Sequence, residues 1–199
     1  MSELTPRSFS FFSFDARRRQ GLRGAAAVLS AGAVALLAGR EVLAAQGSKA
    51  SPRHAEGDAR ILNSALAAEL EAVAAYQLGA DSGLLTPPAR SLALEFQGHH
   101  KAHADLLAGT VRKLGGRPAE ARAQYDFPTD KLKAEADVLR FAASLERGAV
   151  SAYVNAVPVF QDRALAQAAA SILGDEAMHW AVFRQVLGDK PVVPGAFIA

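Results

Sequence analysis

Apolar residues recur at helical spacing in several segments of the chain after residue 57. The first segment shows one apolar position about every three or four residues, which predicts a helix over 58–79. Its apolar positions are Ile61, Leu62, Leu66, Leu70 and Val73. One face of this helix should therefore pack against other parts of the protein.

The second helix is marked by the residues at its two ends. Thr86 precedes Pro87, and this pair predicts a helix start, because threonine can cap a helix and proline at the first position loses no needed donor. Gly115 and Gly116 predict the helix end.

Two more helices follow a long connection. The chain after the two glycines carries no sustained apolar period, so we expect no helix until Thr129 or Asp130. The third helix should end before Pro158, and the fourth should run from Asp162 to Gly188. Short, long and short connections predict an all-α fold, a four-helix bundle with one long crossover between helices two and three.

Composition agrees with helices and limits the chemistry. The 199 residues suit one domain, and alanine, which loses no side-chain entropy in a helix, is abundant. The net charge of +2 comes from the first 45 residues, because the remainder has 16 basic and 17 acidic residues. We therefore expect no nucleic-acid partner. With no cysteine, any metal must bind His, Asp, Glu, carbonyl or water.

The first 45 residues have the layout of a targeting segment. Arg18 and Arg19 precede an uncharged stretch over 24–39, and these arginines resemble a twin-arginine export signal. That stretch is short for a bilayer, which needs about 20 apolar residues. We expect export to the periplasm, with an inner-membrane anchor if the segment stays uncleaved. The predicted organisation is a signal (1–45), a linker (46–57), the bundle (58–188) and a tail (189–199).

Potential metal ligands occur on all four predicted helices at repeated spacings. Helices one and three each carry a glutamate seven residues before a tyrosine, so each pair shares one helix face. Helices two and four each carry two ligand-type residues three positions apart, side by side on one face. The predicted ligands are Glu69, His100, His103, Glu146, Glu176 and His179, and the tyrosines are Tyr76 and Tyr153. Di-iron and di-manganese bundles use this order of ligands.

The segments around these residues resemble one family. LNSALAAE up to Glu69, HHKAHADLL around His103, and ASILGDEAMH up to His179 look like the bacterial exported ferritin-like domain proteins, relatives of rubrerythrin and ferritin. The resemblance covers roughly 58–188. It implies a bundle with two iron or manganese ions, or a single one, that oxidises ferrous iron or removes peroxide with dioxygen or peroxide as substrate. Tyr76 and Tyr153 would then bond ligand carboxylates or donate electrons.

One position departs from the family pattern. His100 stands where the pattern has the first Glu of a Glu-x-x-His pair, and a carboxylate there would bridge both metals, whereas an imidazole binds through one nitrogen. An asymmetric two-metal site, a single-metal site and a degenerate site all remain open. A row shifted by one residue, Glu95 and His99 with His103, is the alternative ligand set on this helix.

Two classes of function follow. The first is a non-haem di-iron or di-manganese oxidoreductase of ferroxidase, peroxidase or catalase type, and the second is a metal-free bundle with a stress-protective or binding role. Whether the chain forms a homodimer is left open by the sequence. We expect that replacing Glu146 or Glu176 by alanine removes a ligand and so abolishes metal binding. Because buried carboxylates repel one another, the same replacement should stabilise the metal-free protein.

Overall fold

The computed structural model describes residues 52–193 and 195–196. These residues form four α-helices and two single 3₁₀ turns, and no strand occurs among them. The helices are α1 (Pro52–Asp81), α2 (Pro87–Lys113), α3 (Glu135–Ala156) and α4 (Arg163–Val186). The predicted all-α four-helix bundle is confirmed. The expected signal segment lies outside the described residues.

Helix α1 begins at Pro52, six residues before the predicted start at 58, so part of the predicted linker is helical. Proline suits a first helical turn because its missing N–H has no partner to lose there. Most residues of this turn are exposed, including Arg53, His54 and Glu56. The prediction relied on apolar periodicity, which an exposed first turn does not show.

Helix α3 begins at Glu135, later than the predicted start at Thr129 or Asp130. Residues Thr129–Lys131 form only a 3₁₀ turn, and the chain then extends before the helix. The carboxylate of Asp137 accepts the backbone N–H of Ala134 at 3.0 Å and so fixes the true helix start. The 3₁₀ turn and the extended residues that follow it interrupt the helical path, which the sequence pattern did not reveal.

The other predicted helix ends agree with the structure in all but one detail. Asp162 caps α4, because its carboxylate accepts the N–H of Ala164 at 2.7 Å. Helix α2 begins at Pro87, although the Thr86 side chain makes no capping bond. The backbone N–H of Thr86 instead donates to the carboxylate of Glu135 at the start of α3. This hydrogen bond connects the loop between α1 and α2 to the start of α3.

The long connection between α2 and α3 is the crossover. Near its beginning, the side-chain amide of Asn63 in α1 donates to the carbonyl of Arg117 at 2.8 Å and accepts the N–H of Ala119. At its end, the chain reaches Thr86 at the opposite end of the bundle. The connection therefore runs along the bundle, and α1 and α3 are antiparallel.

The buried apolar residues form two clusters separated along the bundle. One cluster includes Leu62, Leu66, Leu107 and Ile172. The other includes Tyr76, Phe96, Leu139 and Phe183. Buried glutamates and histidines lie between these clusters along the helices, in a layer with apolar side chains on both sides. In the part of the chain that the structure describes, no helix is long and apolar enough to span a membrane.

Candidate metal centre

The six predicted ligands come together in the layer between the two apolar clusters. Each is at most 7% exposed, and Glu146 and Glu176 are fully buried. Helix α1 supplies Glu69, α2 supplies His100 and His103, α3 supplies Glu146, and α4 supplies Glu176 and His179. The predicted convergence of these side chains is thus present in the fold. Their role as ligands stays a prediction.

The six side chains divide into two overlapping groups of four. The first group is Glu69, His100, His103 and Glu176, and the second is His100, Glu146, Glu176 and His179. Within each group, one candidate ligand atom per residue lies within 4.8 Å of the others. His100 and Glu176 belong to both groups, so the arrangement has two metal-sized positions with two shared residues.

His100 lies between the carboxylates of the two groups. Its Nδ1 is 2.7 Å from Oε2 of Glu69, and its Nε2 is 3.1 Å from Oε1 of Glu146. Glu176 Oε1 lies 3.7 Å from the same Nδ1. The imidazole therefore occupies the place of the bridging carboxylate that the family pattern predicts.

Five buried atoms in this layer have no hydrogen-bond partner among the described residues. They are Nδ1 of His103, Nδ1 of His179, Oε2 of Glu146 and both carboxylate oxygens of Glu176. Buried polar atoms are normally paired, so each of these five requires an explanation. All five are of the atom types that bind divalent iron or manganese, and they face one another, as the 3.1 Å between His103 Nδ1 and Glu176 Oε1 shows. The donor set fits a metal.

Two tyrosines brace the glutamates in a crossed pattern. The hydroxyl of Tyr153 in α3 donates to Oε1 of Glu69 in α1 at 2.7 Å, and the hydroxyl of Tyr76 in α1 donates to Oε1 of Glu146 in α3. Burial, followed by the charge of the neighbouring glutamate, raises the pKa of both hydroxyls, so they remain donors at neutral pH. The predicted hydrogen bonds from these tyrosines to Glu146 and Glu69 are present.

The histidines hold protons strongly when no metal is bound. Burial alone lowers the pKa of His100, but the hydrogen bonds with Glu146 and Glu69 outweigh it and raise the pKa to about 10. Burial also lowers the pKa of His103, and contacts with Asp175, Glu176 and Glu69 raise it to about 11. Protons on these rings therefore balance the carboxylate charge in the metal-free protein.

The three glutamates differ in the direction in which their pKa is shifted. Burial raises the pKa of Glu69 and Glu146, yet bonds with the histidines lower both pKa values overall, so these two are carboxylates. The pKa of Glu176 is raised by burial, and its proximity to Glu146 adds to this. The metal-free protein therefore stabilises the charged form of Glu176 less than that of the other two glutamates, although Glu176 belongs to both groups.

Two residues outside the predicted set contact the ligand histidines from behind. Nε2 of His179 is 2.8 Å from Nδ1 of His99, and Nε2 of His103 is 3.3 Å from Oδ2 of Asp175. Each of these partners directly precedes His100 or Glu176 in the sequence. The sequence analysis missed Asp175, although its position before Glu176, matching that of His99, was a usable signal.

The alternative ligand row is not inside the bundle. Glu95 and His99 are both exposed, whereas His100 is 2% exposed and central. His99 stacks on the ring of His179 and contacts its outer nitrogen, Nε2, from outside the cluster. Trp180, next to His179, packs with the cluster around Phe183 and lies 5.7 Å from the guanidinium of Arg184, which agrees with a packing role.

A cavity of about 580 Å³ lies between α1 and α3 and reaches the cluster. Glu69, His100 and Tyr153 contribute to its wall, and small side chains form much of the remainder. Gly148 is one of these, and a Cβ added there would meet nothing within 4 Å. Gly148 therefore widens the cavity and is not a point of close helix approach. The cavity therefore provides space of small-molecule size beside the Glu69 side of the cluster.

Comparisons with known proteins agree with this fold. The model of the ferritin-like domain family matches residues 57–189, which span nearly all of the four helices. A crystal structure of a conserved hypothetical protein from Mycobacterium tuberculosis is similar, with a TM-score of 0.62 and 24% identity. The similarity covers 72% of this chain and 99% of that one. At this identity it supports the fold alone. No curated protein matches the chain.

Proposed function

Since this chain belongs to the ferritin-like domain family, we propose that its buried cluster is an iron or manganese centre that oxidises ferrous iron or removes peroxide. The observation that carries this proposal is the set of five buried ligand-type atoms without hydrogen-bond partners. Leaving such atoms unpaired costs roughly 1–3 kcal/mol each, and a bound cation removes that cost. The donors are imidazole and carboxylate only, which suits iron and manganese.

The chain's own residues would hold and position the metal. Tyr76 and Tyr153 keep the ligand carboxylates of Glu146 and Glu69 in place and are also near enough to serve as electron donors. The apolar clusters on both sides exclude water, while the cavity admits dioxygen or peroxide to the Glu69 side. Bound iron or manganese supplies the electron transfer to these oxidants.

A metal-free role is the second candidate, and one observation favours it. His100 places a ring nitrogen against Glu69 and another against Glu146, so a protonated ring pairs with one oxygen of each carboxylate without any ion. In this case the bundle would be a non-catalytic protein with a protective or binding role. The two candidates differ in a single measurable property, which is whether the native protein carries a transition metal.

The test compares the wild type with two alanine variants. Glu176→Ala removes the residue shared by both groups, and Glu95→Ala removes an exposed glutamate from a neighbouring part of α2. Each protein is recovered under metal-replete conditions from a host that exports it. Iron and manganese content, ferrous oxidation and peroxide consumption are then measured. We expect metal and activity in the wild type and in Glu95→Ala, and loss of both in Glu176→Ala. A wild type without metal would reject the catalytic proposal in favour of the metal-free one.

We also propose that the chain is exported by the twin-arginine route. The support is sequence alone: Arg18 and Arg19 precede the uncharged stretch over 24–39. Replacing Arg17, Arg18 and Arg19 together by lysine keeps the charge and should trap the protein in the cytoplasm. Cell fractionation with immunodetection measures this, and unchanged delivery to the periplasm would reject the route.

A further inference from the structure

The two metal positions of the cluster are not equivalent, because Glu69 and Glu146 differ in their free oxygens. Both oxygens of Glu69 are bonded, Oε1 to Tyr153 and Oε2 to His100. In Glu146, the contacts with Tyr76 and His100 fall on the same oxygen, Oε1, and Oε2 has no partner. Of these two glutamates, only Glu146 therefore offers a carboxylate oxygen that is free to bind an ion without first breaking a hydrogen bond.

Two further unpaired atoms converge beside this free oxygen. Nδ1 of His179 is 3.4 Å from Oε2 of Glu146 and 3.7 Å from Oε2 of Glu176. Two ligands bound to one ion at about 2.0–2.2 Å each are separated by at most about 4.4 Å, so these distances suit a shared ion. The opposite position has only two unpaired atoms, His103 Nδ1 and Glu176 Oε1.

His100 completes the better position. When its Nδ1–H donates to Glu69 at 2.7 Å, the lone pair of Nε2 is directed to the Glu146 side. Metal-bound histidines commonly donate their second ring N–H to a carboxylate, which fixes the ring and strengthens the ligand. Glu69 is placed to be that outer carboxylate.

We propose that the cluster binds one ion tightly through His100 Nε2, Glu146, Glu176 and His179, with Glu69 orienting His100, and that the position beside His103 is weak. This inference rests on the proposed metal function and specifies its stoichiometry. A glutamate at position 100 would leave Glu69 free to bind a second ion. The single histidine thus turns a symmetric pair of positions into a strong one and a weak one.

The test compares substitutions at matching positions of the two helix pairs, so that each variant beside one metal position has a control beside the other. The metal-stripped full chain is titrated with Mn²⁺ without oxygen, and binding is followed by calorimetry and by electron paramagnetic resonance. The wild type should bind one ion as an isolated Mn²⁺ and a second only much more weakly. His179→Ala and Glu146→Gln should lose the tight ion. His103→Ala should keep it, and Glu69→Gln should keep it with roughly 10–100-fold lower affinity.

The His100→Glu variant provides the opposite result. It should bind two ions of similar affinity, with the resonance signal of a coupled pair. The wild-type titration needs no variant, so a substitution that fails to fold leaves the inference testable. Two equal ions in the wild type, or equal losses in His103→Ala and His179→Ala, would overturn this inference and leave the metal function standing. Absence of any bound ion in the wild type would overturn both.

Discussion

The α1/α2 half and the α3/α4 half of the bundle place matching side chains at matching positions. Each has a glutamate seven residues before a tyrosine, and each has a ligand pair three residues apart. Each tyrosine donates to the glutamate of the other half. The halves differ at one matching position, where the first has His100 and the second has Glu176. Both of these residues belong to both groups of candidate ligands.

The difference at this position changes what the neighbouring carboxylates can do. A carboxylate only accepts hydrogen bonds, whereas an imidazole ring can also donate them. Glu176 leaves both its oxygens free, but His100 engages Glu69 and Glu146. One exchange of residue type therefore stabilises the metal-free layer and makes the two halves unequal toward metal. The predictions below separate these two effects.

Loss of either glutamate that accepts a tyrosine hydrogen bond should have the largest effect on stability. The effect should be similar for the glutamate of each half. Glu69→Ala and Glu146→Ala each remove one carboxylate partner from the buried protonated His100, which costs about 3–5 kcal/mol. This reverses the expectation from sequence that such a loss stabilises the metal-free protein, because His100 already balances the charge. Urea unfolding in the presence of a chelator measures it. The oxygens of Glu176 make only ion-pair contacts of 3.1 to 3.7 Å with the three histidines, so Glu176→Ala should cost less. Glu69→Ala and Glu146→Ala variants as stable as the wild type would contradict this account.

Alkaline pH should destabilise the metal-free protein next most strongly. The pKa of His100 is raised from 6.5 to about 10, so its contribution is complete below pH 6.5 and is lost as the pH rises toward 10. One such proton accounts for about 1.4 kcal/mol per pH unit, or roughly 3 kcal/mol between pH 7 and pH 9. The free energy of unfolding at several pH values tests this. His103, whose pKa is raised to about 11, adds a similar pH dependence. His100→Gln should therefore reduce the slope without abolishing it, and an unchanged slope in that variant would assign the effect elsewhere.

The outer partners of the ligand histidines should distinguish the two halves in metal affinity. His99 contacts His179 beside the strong position, and Asp175 contacts His103 beside the weak one. Loss of such a partner typically costs 10–100-fold in metal affinity, or about 1.4–2.8 kcal/mol. We expect His99→Ala to weaken the tight Mn²⁺ by about that factor and Asp175→Ala to leave it unchanged. Calorimetric titration would reveal the opposite order if the strong position were beside His103.

Removing a tyrosine hydroxyl should have the smallest effect. Tyr76→Phe and Tyr153→Phe each lose one buried hydrogen bond, worth about 1 kcal/mol of stability. Tyr153→Phe also frees an oxygen of Glu69, so binding of the second Mn²⁺ should become tighter. Tyr76→Phe acts on Glu146, which already has a free oxygen, and should leave the second ion unchanged. Equal changes in both variants would remove this distinction.

The sequence by itself determined the helices and the set of residues that meet in the core. Helical spacing repeats locally, so the shared face of Glu69 and Tyr76, or of His100 and His103, follows from the chain alone. Helix ends marked by Pro87 and Asp162 were also correct. The predicted starts of α1 and α3 were wrong. The first turn of α1 is exposed and α3 begins later than expected, and neither feature is visible in the pattern of apolar residues.

Only the tertiary structure decided how the ligands are partnered. The crossed bonds from Tyr76 to Glu146 and from Tyr153 to Glu69 join residues 70 and 84 positions apart. Which oxygen of each carboxylate is left free depends on the antiparallel arrangement of α1 and α3 and on the ring orientation of His100. The sequence shows that an imidazole replaces a carboxylate, but the side on which that imidazole donates is fixed by the packing of all four helices.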